Sequence, residues 1–326
     1  MYLKKHLLGG ILMVSCGILS LSSCSNDEDI IESSTNKTEL DNQPDVVVSS
    51  TKYWMASENN SKLGVMPIDE PILQFKDEAA YNRITEELKG KTAEERVAYF
   101  EKLGFNGAYR QLMQADDELE QIFENVDDSI QFIKEITKFK SKYGSKFFFD
   151  ENDTLNATPY LNFNDEKLSL VGNILGMAVV GNEIIRPSNS SPALAPHLNE
   201  GTFVSAKKNN RFTLIYKKKK HTKRYSTMTF GHIAESGTLA VYLTSQWKKF
   251  FVTKDVYKNI SYKAHVKIND GGWIFVMKHA DSRRTFDLCL PAINYHPSFK
   301  AEIKDFESSY CPYPKSTTLN NIVLRY

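Results

Sequence analysis

The spacing of apolar residues changes near Gly144, and that change restricts the chain to folds that join helices to a sheet. Before it, apolar side chains recur every three or four residues. After it they alternate, the spacing of a half-buried strand. Tyr81, Ile84 and Leu88 fall on one helical face, with Gly90 as a stop. Thr92-Ala93-Glu94-Glu95 is a capping box, so a second helix starts there, with Val97, Phe100 and Leu103 inward and Gly104 at its end. A third helix is expected over about 107–124, with Tyr109, Leu112, Met113, Leu119, Ile122 and Phe123 inward. A fourth starts at Asp127 or Asp128 and is expected to bury Ile130, Ile133 and Ile136.

Beyond Gly144 the turns come at strand-like intervals. Gly181-Asn182 is a two-residue hairpin signal. Arg211 to Tyr216 and Arg224 to His232 read as strands flanking a basic loop. Thr238 to Gln246 alternates, as does Tyr262 to Ile268, and Asp270-Gly271-Gly272 turns the latter into Trp273 to Met277. Phe299, Ile303 and Phe306 suggest a helix within SFKAEIKDFESSY, and NIVLRY reads as a closing strand. The expected fold class is α+β, a helical N-terminal region followed by a mainly antiparallel β-sheet domain. The expected division is a signal segment over 1–23, a flexible tether over 24–70, a helical region over 71–146 and a β-rich domain over 147–326. VVVSSTKYW at 46–54 is the exception in the tether and reads as an early strand.

The first residues address the chain. Lys4 and Lys5 precede the apolar run Leu7 to Leu21, which is too short for a permanent membrane span and reads as an export signal. Leu21-Ser22-Ser23-Cys24 resembles the bacterial lipobox, which implies that Cys24 is lipidated and becomes the mature N-terminus. Cys16 has a poorer lead-in, and an ordinary signal peptide cut near Ser23 is the bland alternative. Each buried methylene of an acyl chain contributes about 0.8 kcal/mol, so several chains hold a protein at a membrane. Ser25-Asn26-Asp27-Glu28-Asp29 resembles the acidic tether that marks Bacteroidetes lipoproteins for the outer face of the outer membrane. The expected location is therefore the outer membrane, lipid-anchored and surface-exposed.

Four cysteines are present, and once Cys16 and Cys24 are set aside only Cys289 and Cys311 remain. In an oxidising exterior they are expected to pair, closing a loop of about 22 residues with roughly 3 to 4 kcal/mol of stabilisation; two buried free thiols are the alternative. The formal net charge of +1 conceals a division. Residues 25–150 hold 15 Lys+Arg against 26 Asp+Glu, or −11, whereas residues 151–326 hold 24 against 14, or +10. Either the two halves attract each other across an interface, or the basic half meets an anionic partner.

FKDEAAYNRITEEL followed by TAEERVAYFEKLGF resembles a group of uncharacterised Bacteroidetes surface lipoproteins. Phe75, Tyr81, Glu95, Arg96, Phe100, Leu103, Gly104 and Phe105 match that group's pattern, with Asn106 where a serine is usual. NILGMAVVGNEIIRP is similar to a hairpin of the same group, through Asn173, Gly176, Gly181 and Asn182. The resemblance implies architecture and address, and it supplies no catalytic residue.

No catalytic motif is legible. The seven histidines lack metal-ligand spacing, and no nucleophile elbow, P-loop or dinucleotide fingerprint occurs, so no cofactor and no metal are expected. Asp150, Asn152 and Thr154 superficially follow a calcium loop, but Leu155 and Leu161 stand where glycine and glutamate are required. Glu183, Glu200, Glu235, Asp270, Asp281 and Asp287 are the carboxylates of the sheet half from which a glycan- or peptide-cleaving pair would have to come, and His279 with Asp281 is a further acid–base candidate.

YKKKKHTKRY, 216–225, is the most unusual stretch. Lys217, Lys218, Lys219, Lys220, Lys223 and Arg224, with Trp247 nearby, are the expected ligand-binding residues. The expected partner is an acidic glycan and not nucleic acid, since export removes intracellular targets. Edge lysines that discourage sheet-to-sheet aggregation are the competing explanation. The leading expectation is a noncatalytic binding module at the cell surface; a lipid-anchored hydrolase and a structural component of an outer-membrane complex are the alternatives.

Overall fold

Two strand segments before the helices and two after them close into one small sheet. The computed structural model describes residues 44–57, 69–188, 203–219, 221–233, 237–256, 260–280, 284–286 and 298–324, all within the unit Pro44–Tyr326. The lipidation candidate Cys24, together with Lys220, Cys289, Glu200, Glu235, Asp281 and Asp287, lies outside the described residues.

The chain begins with β1 (Val46–Ser50), α1 (Thr51–Ser57) and β2 (Pro71–Phe75). Four longer helices follow: α2 (Glu78–Lys89), α3 (Ala93–Leu103), α4 (Ala108–Asn125) and α5 (Ser129–Tyr143). Next come the short α6 (Glu166–Val171), then β3 (Ala178–Val180) and β4 (Glu183–Ile185). The first sheet has the order β1-β2-β3-β4, with β2 and β3 parallel and the other pairs antiparallel. The helical stretch is thus framed by strands on both sides, and the Gly181-Asn182 turn joins Val180 to Glu183 as the hairpin signal required.

Helix boundaries follow from capping. Asp77 accepts a hydrogen bond from the Ala80 amide at 2.8 Å, and Asp128 does the same for the Gln131 amide at 2.8 Å. Thr92 and Glu95 complete the reciprocal capping box. Gly104 ends α3 in the left-handed region at φ 69°, which a side chain would disfavour. Arg96 is buried; its Nε donates to the Leu88 carbonyl at 2.6 Å and its Nη2 to that of Lys89 at 2.9 Å. One guanidinium therefore closes the end of α2 and ties it to α3.

The remaining strands are β5 (Phe203–Ser205), β6 (Arg211–Lys219), β7 (Thr222–Ile233), β8 (Leu239–Lys249), β9 (Val252–Asp255), β10 (Ile260–Ile268), β11 (Ile274–Ala280), β12 (Arg284–Phe286), β13 (Ser298–Ser308) and β14 (Cys311–Val323). β7 and β8 form the centre of a six-stranded sheet. β5 and β6 pair with different lengths of β7, and β12 and β9 with different lengths of β8. A four-stranded antiparallel sheet, β11-β10-β13-β14, packs against part of its inner face. Phe230 meets Phe299 with ring centroids 6.1 Å apart, and Phe212 meets Phe306 at 6.0 Å. Between the sheets, hydroxyls satisfy one another: Ser226 with Ser308 at 2.6 Å, Ser226 with Ser245 at 2.8 Å, and Ser245 with Tyr262 at 2.8 Å.

Three expectations are corrected. The segment SFKAEIKDFESSY is β13. Its Phe299, Ala301 and Ile303 alternate inward; then register shifts follow, with Asp305 at φ 54°, and Phe306 faces inward again. A bulge inserts one residue, so a strand acquired the three-and-four spacing of a helix. In α5 the buried stripe is Phe132, Ile136 and Phe139, while Ile130 is 80% exposed. The two stripes share Ile136, and the inward one carries the larger aromatic area. Cys311 holds a free thiol and no bridge to Cys289. The sulfur is buried, 3.6 Å from the Arg224 carbonyl and 3.9 Å from that of Leu214, and burial raises its pKa.

Candidate functional site

Strand register places Tyr216, Arg224, Trp247 and Lys254 side by side across β6, β7, β8 and β9. Opposed residues point to the same face, here the inner one, so the row presents two cations flanking an indole. Above it runs α4, on which Asp116, Glu120 and Glu124 recur every four residues and so form one stripe. Eight residues of helix rise about 12 Å, and three steps between strands span about 14 Å. The acidic stripe therefore matches the basic row in length.

The contacts follow that match. Lys254 Nζ lies 2.8 Å from Asp116 Oδ1 and 3.1 Å from Glu120 Oε1, with Lys254 and Asp116 withdrawn completely from solvent. At the other end Glu124 pairs with Lys218 and lies 3.8 Å from Arg224 Nη2. Lys249, also fully buried, donates to the Phe123 carbonyl at 2.8 Å and to Asp127 at 2.9 Å. The Arg224 guanidinium is held between Trp247 at 4.5 Å and Tyr310 at 4.7 Å, and Lys254 and Lys218 also approach the indole, at 5.4 and 5.5 Å. Burial, and then the charges of Glu120 and Asp116, push the Tyr310 hydroxyl well above the ordinary tyrosine range, so it stays a neutral phenol. The opposite charges of the two halves of the chain meet here.

Five of the seven expected ligand-binding residues are placed on one face or the other of the sheet. Trp247 is 2% exposed and belongs to the core, and Arg224 and Lys218 face α4. Lys223 lies on the opposite face. Lys217 joins it there, and Lys219 lies in β6. The signal that separates the two groups is parity along the strand, readable only once the pairing of β6, β7 and β8 is known.

On the outer face, Lys217, Lys223 and Lys248 occupy directly opposed positions of β6, β7 and β8. Lys217 and Lys223 are exposed and Lys248 is half-buried, and among the described residues no carboxylate pairs with any of them. The next row is Ile215, Tyr225 and Gln246, and the one after it Thr213, Thr227 and Thr244, with the first two hydroxyls 3.0 Å apart. At the β9 side the face is closed by the segment 156–160. Asp255, 5% exposed, accepts from Gln246 Nε2 at 2.8 Å, and its amide donates to Thr158 at 2.9 Å.

Elsewhere the candidate chemistry disperses. Glu183 sits in β4, Asp270 follows β10, and His279 is in β11 with its side chain outside the described residues. Asp150 accepts from the Asn152 amide at 2.9 Å, and the Thr154 carbonyl accepts from Lys140 Nζ at 3.1 Å, so an ammonium stands where a calcium loop would offer oxygen to a metal. Among the described residues no group of three His, Cys, Asp or Glu side chains is placed to hold a metal ion. A groove of about 630 Å³ between α4 and α5 has Ile122, Val126 and Phe139 in its lining, and two of its rim carboxylates, Glu118 and Glu135, are already paired with Lys142 and Lys138.

Comparison with known proteins gives a family and no activity. The profile of a family described as a domain of unknown function, DUF4848, matches residues 65–269. A crystal structure of a DUF4848 family protein from Bacteroides thetaiotaomicron is similar at 18% identity, over 76% of this chain and 95% of that one, with a TM-score of 0.35. The comparison with curated proteins finds no match.

Proposed function

We propose, from the premise that this chain belongs to the DUF4848 family of domains of unknown function, that it is a lipid-anchored, noncatalytic binding module displayed on the outer membrane. The Leu21-Ser22-Ser23-Cys24 lipobox supports the anchor, and the acidic residues after Cys24 support surface display. The ligand surface in this reading is the outer face of the six-stranded sheet. The observation that carries it is the array of lysine, tyrosine and threonine side chains on that face, which offers cationic, stacking and hydroxyl contacts on rigid strands. Preorganised strands bind without a large ordering cost. The inner face, by contrast, is occupied by α4 and the second sheet.

Two measurements test the reading. Intact-mass analysis of the native protein is expected to show an acylated Cys24, and Cys24→Ala is expected to move the protein from membrane to soluble fractions. Whole cells bearing the protein are expected to retain soluble glycans that cells lacking it do not. An unmodified polypeptide in the culture fluid, or identical retention by both cell types, overturns it.

A further inference from the structure

Lysine placement on the outer face is not explained by stability. Like charges directly opposite each other in a sheet are unfavourable, and here three follow in one row, Lys217, Lys223 and Lys248. Edge protection accounts for Lys217, because among the described residues β6 pairs only with β7. It does not account for the other two: at Lys223, β7 is paired on both sides by β6 and β8, and at Lys248, β8 is paired on both sides by β7 and β9. Neither position is an exposed edge. Nor, among the described residues, do the lysines answer local acids, whereas Lys218, Lys249 and Lys254 on the inner face each do.

We infer that Lys217, Lys223 and Lys248 form a ladder that binds a linear anionic polysaccharide lying across the strands; the inference rests on the binding-module reading above. Neighbouring strands are about 4.8 Å apart, so the ladder sets three ammonium groups over about 10 Å in a line perpendicular to β7. A chain carrying regularly repeated sulfates or carboxylates engages all three at once, and each contact relieves the repulsion among the lysines. The adjoining rows favour a saccharide over other polyanions. Ile215, 51% exposed, and Tyr225 supply a flat apolar strip beside the charges, and Thr213, Thr227 and Thr244 supply hydroxyls one row further on. Sugar rings present both apolar faces and hydroxyls to such a surface.

The test uses the full-length protein extracted in detergent, with chondroitin sulfate, neutral dextran and duplex DNA as immobilised probes. The variants are the triple substitution Lys217→Gln, Lys223→Gln, Lys248→Gln and, as a control on the same hairpin but the opposite face, Lys218→Gln. Thermal melts establish that each remains folded. The expected result is binding to chondroitin sulfate that weakens with added salt, falls by about tenfold or more in the triple variant, and is unchanged in Lys218→Gln. A loss in the control of about one third of the triple variant's on a logarithmic scale, matching one charge removed against three, means that net charge alone acts and overturns the ladder, as does an unchanged triple variant. Binding of dextran without preference for the sulfated chain also overturns the ladder while leaving the binding module standing. Failure to bind either saccharide overturns both, and tighter binding of DNA overturns the choice of a saccharide.

Discussion

Lys254 on β9 and Asp116 on α4, 138 positions apart in the chain, meet at 2.8 Å with neither side chain exposed to solvent. Desolvating two charges is expensive, and the attraction between them repays it only when geometry is good and further hydrogen bonds are supplied. Glu120 at 3.1 Å and the Trp247 ring at 5.4 Å supply such support to the ammonium. The pair therefore acts as a registration device that fixes where α4 crosses the sheet.

Removing one partner takes from the other its nearest counterion, although Lys254 keeps Glu120 at 3.1 Å. Asp116→Ala or Lys254→Met alone is expected to destabilise the protein by about 3 to 5 kcal/mol, whereas a joint replacement by apolar residues of similar volume is expected to recover most of the loss. Urea denaturation of the four species, closed as a double-mutant cycle, measures the coupling. Additive single effects would show that the pair has no such role.

Close backbone approach at Gly107 predicts intolerance of even one methyl group. A Cβ there would stand 2.2 Å from the Phe105 ring and 2.6 Å from the Gly172 carbonyl oxygen. That carbonyl cannot easily withdraw, because it accepts the Ala108 amide at 2.9 Å. Gly107→Ala is expected to lower stability by about 1 to 3 kcal/mol through overpacking. A denaturation midpoint equal to that of the wild type would contradict the geometry.

His232 sets an acid sensitivity. The residue is 5% exposed, and burial lowers its pKa. A depressed histidine is neutral in the fold while the unfolded chain takes up a proton near pH 6.5. Its contribution is thus complete above that pH and is lost as pH falls toward the lower folded value. His232→Leu is expected to flatten the fall in stability below pH 6.5. An unaltered slope in urea titrations across that range would assign the effect elsewhere.

Cys311 is expected to resist thiol reagents in the native protein, since its sulfur is enclosed and burial disfavours the thiolate. Unfolding in urea is expected to release it to alkylation at the ordinary rate. Prompt native modification, monitored by mass, would place the thiol at the surface.

Local signals were legible wherever the chain answers to its neighbours in sequence. The capping box at Thr92 and Glu95, the Gly181-Asn182 turn and the alternation of Tyr262, Ala264, Val266 and Ile268 depend on contacts within a few residues, and all form. Legibility failed where two patterns competed. The bulge near Asp305 put a helical spacing into β13, and two overlapping stripes in α5 left Phe132 and Phe139, rather than Ile130, to be chosen by what they face.

The basic hairpin divides along the same line. That the two halves of the chain carry opposite charge, and that strands would bracket the lysines, follows from composition and period alone. Which lysines neutralise α4 and which remain outward follows from strand pairing: alternation sends Lys218 and Arg224 to one face and Lys217 and Lys223 to the other. A single chain segment states the alternation but not the face, because inward and outward acquire meaning only when a distant helix covers one side.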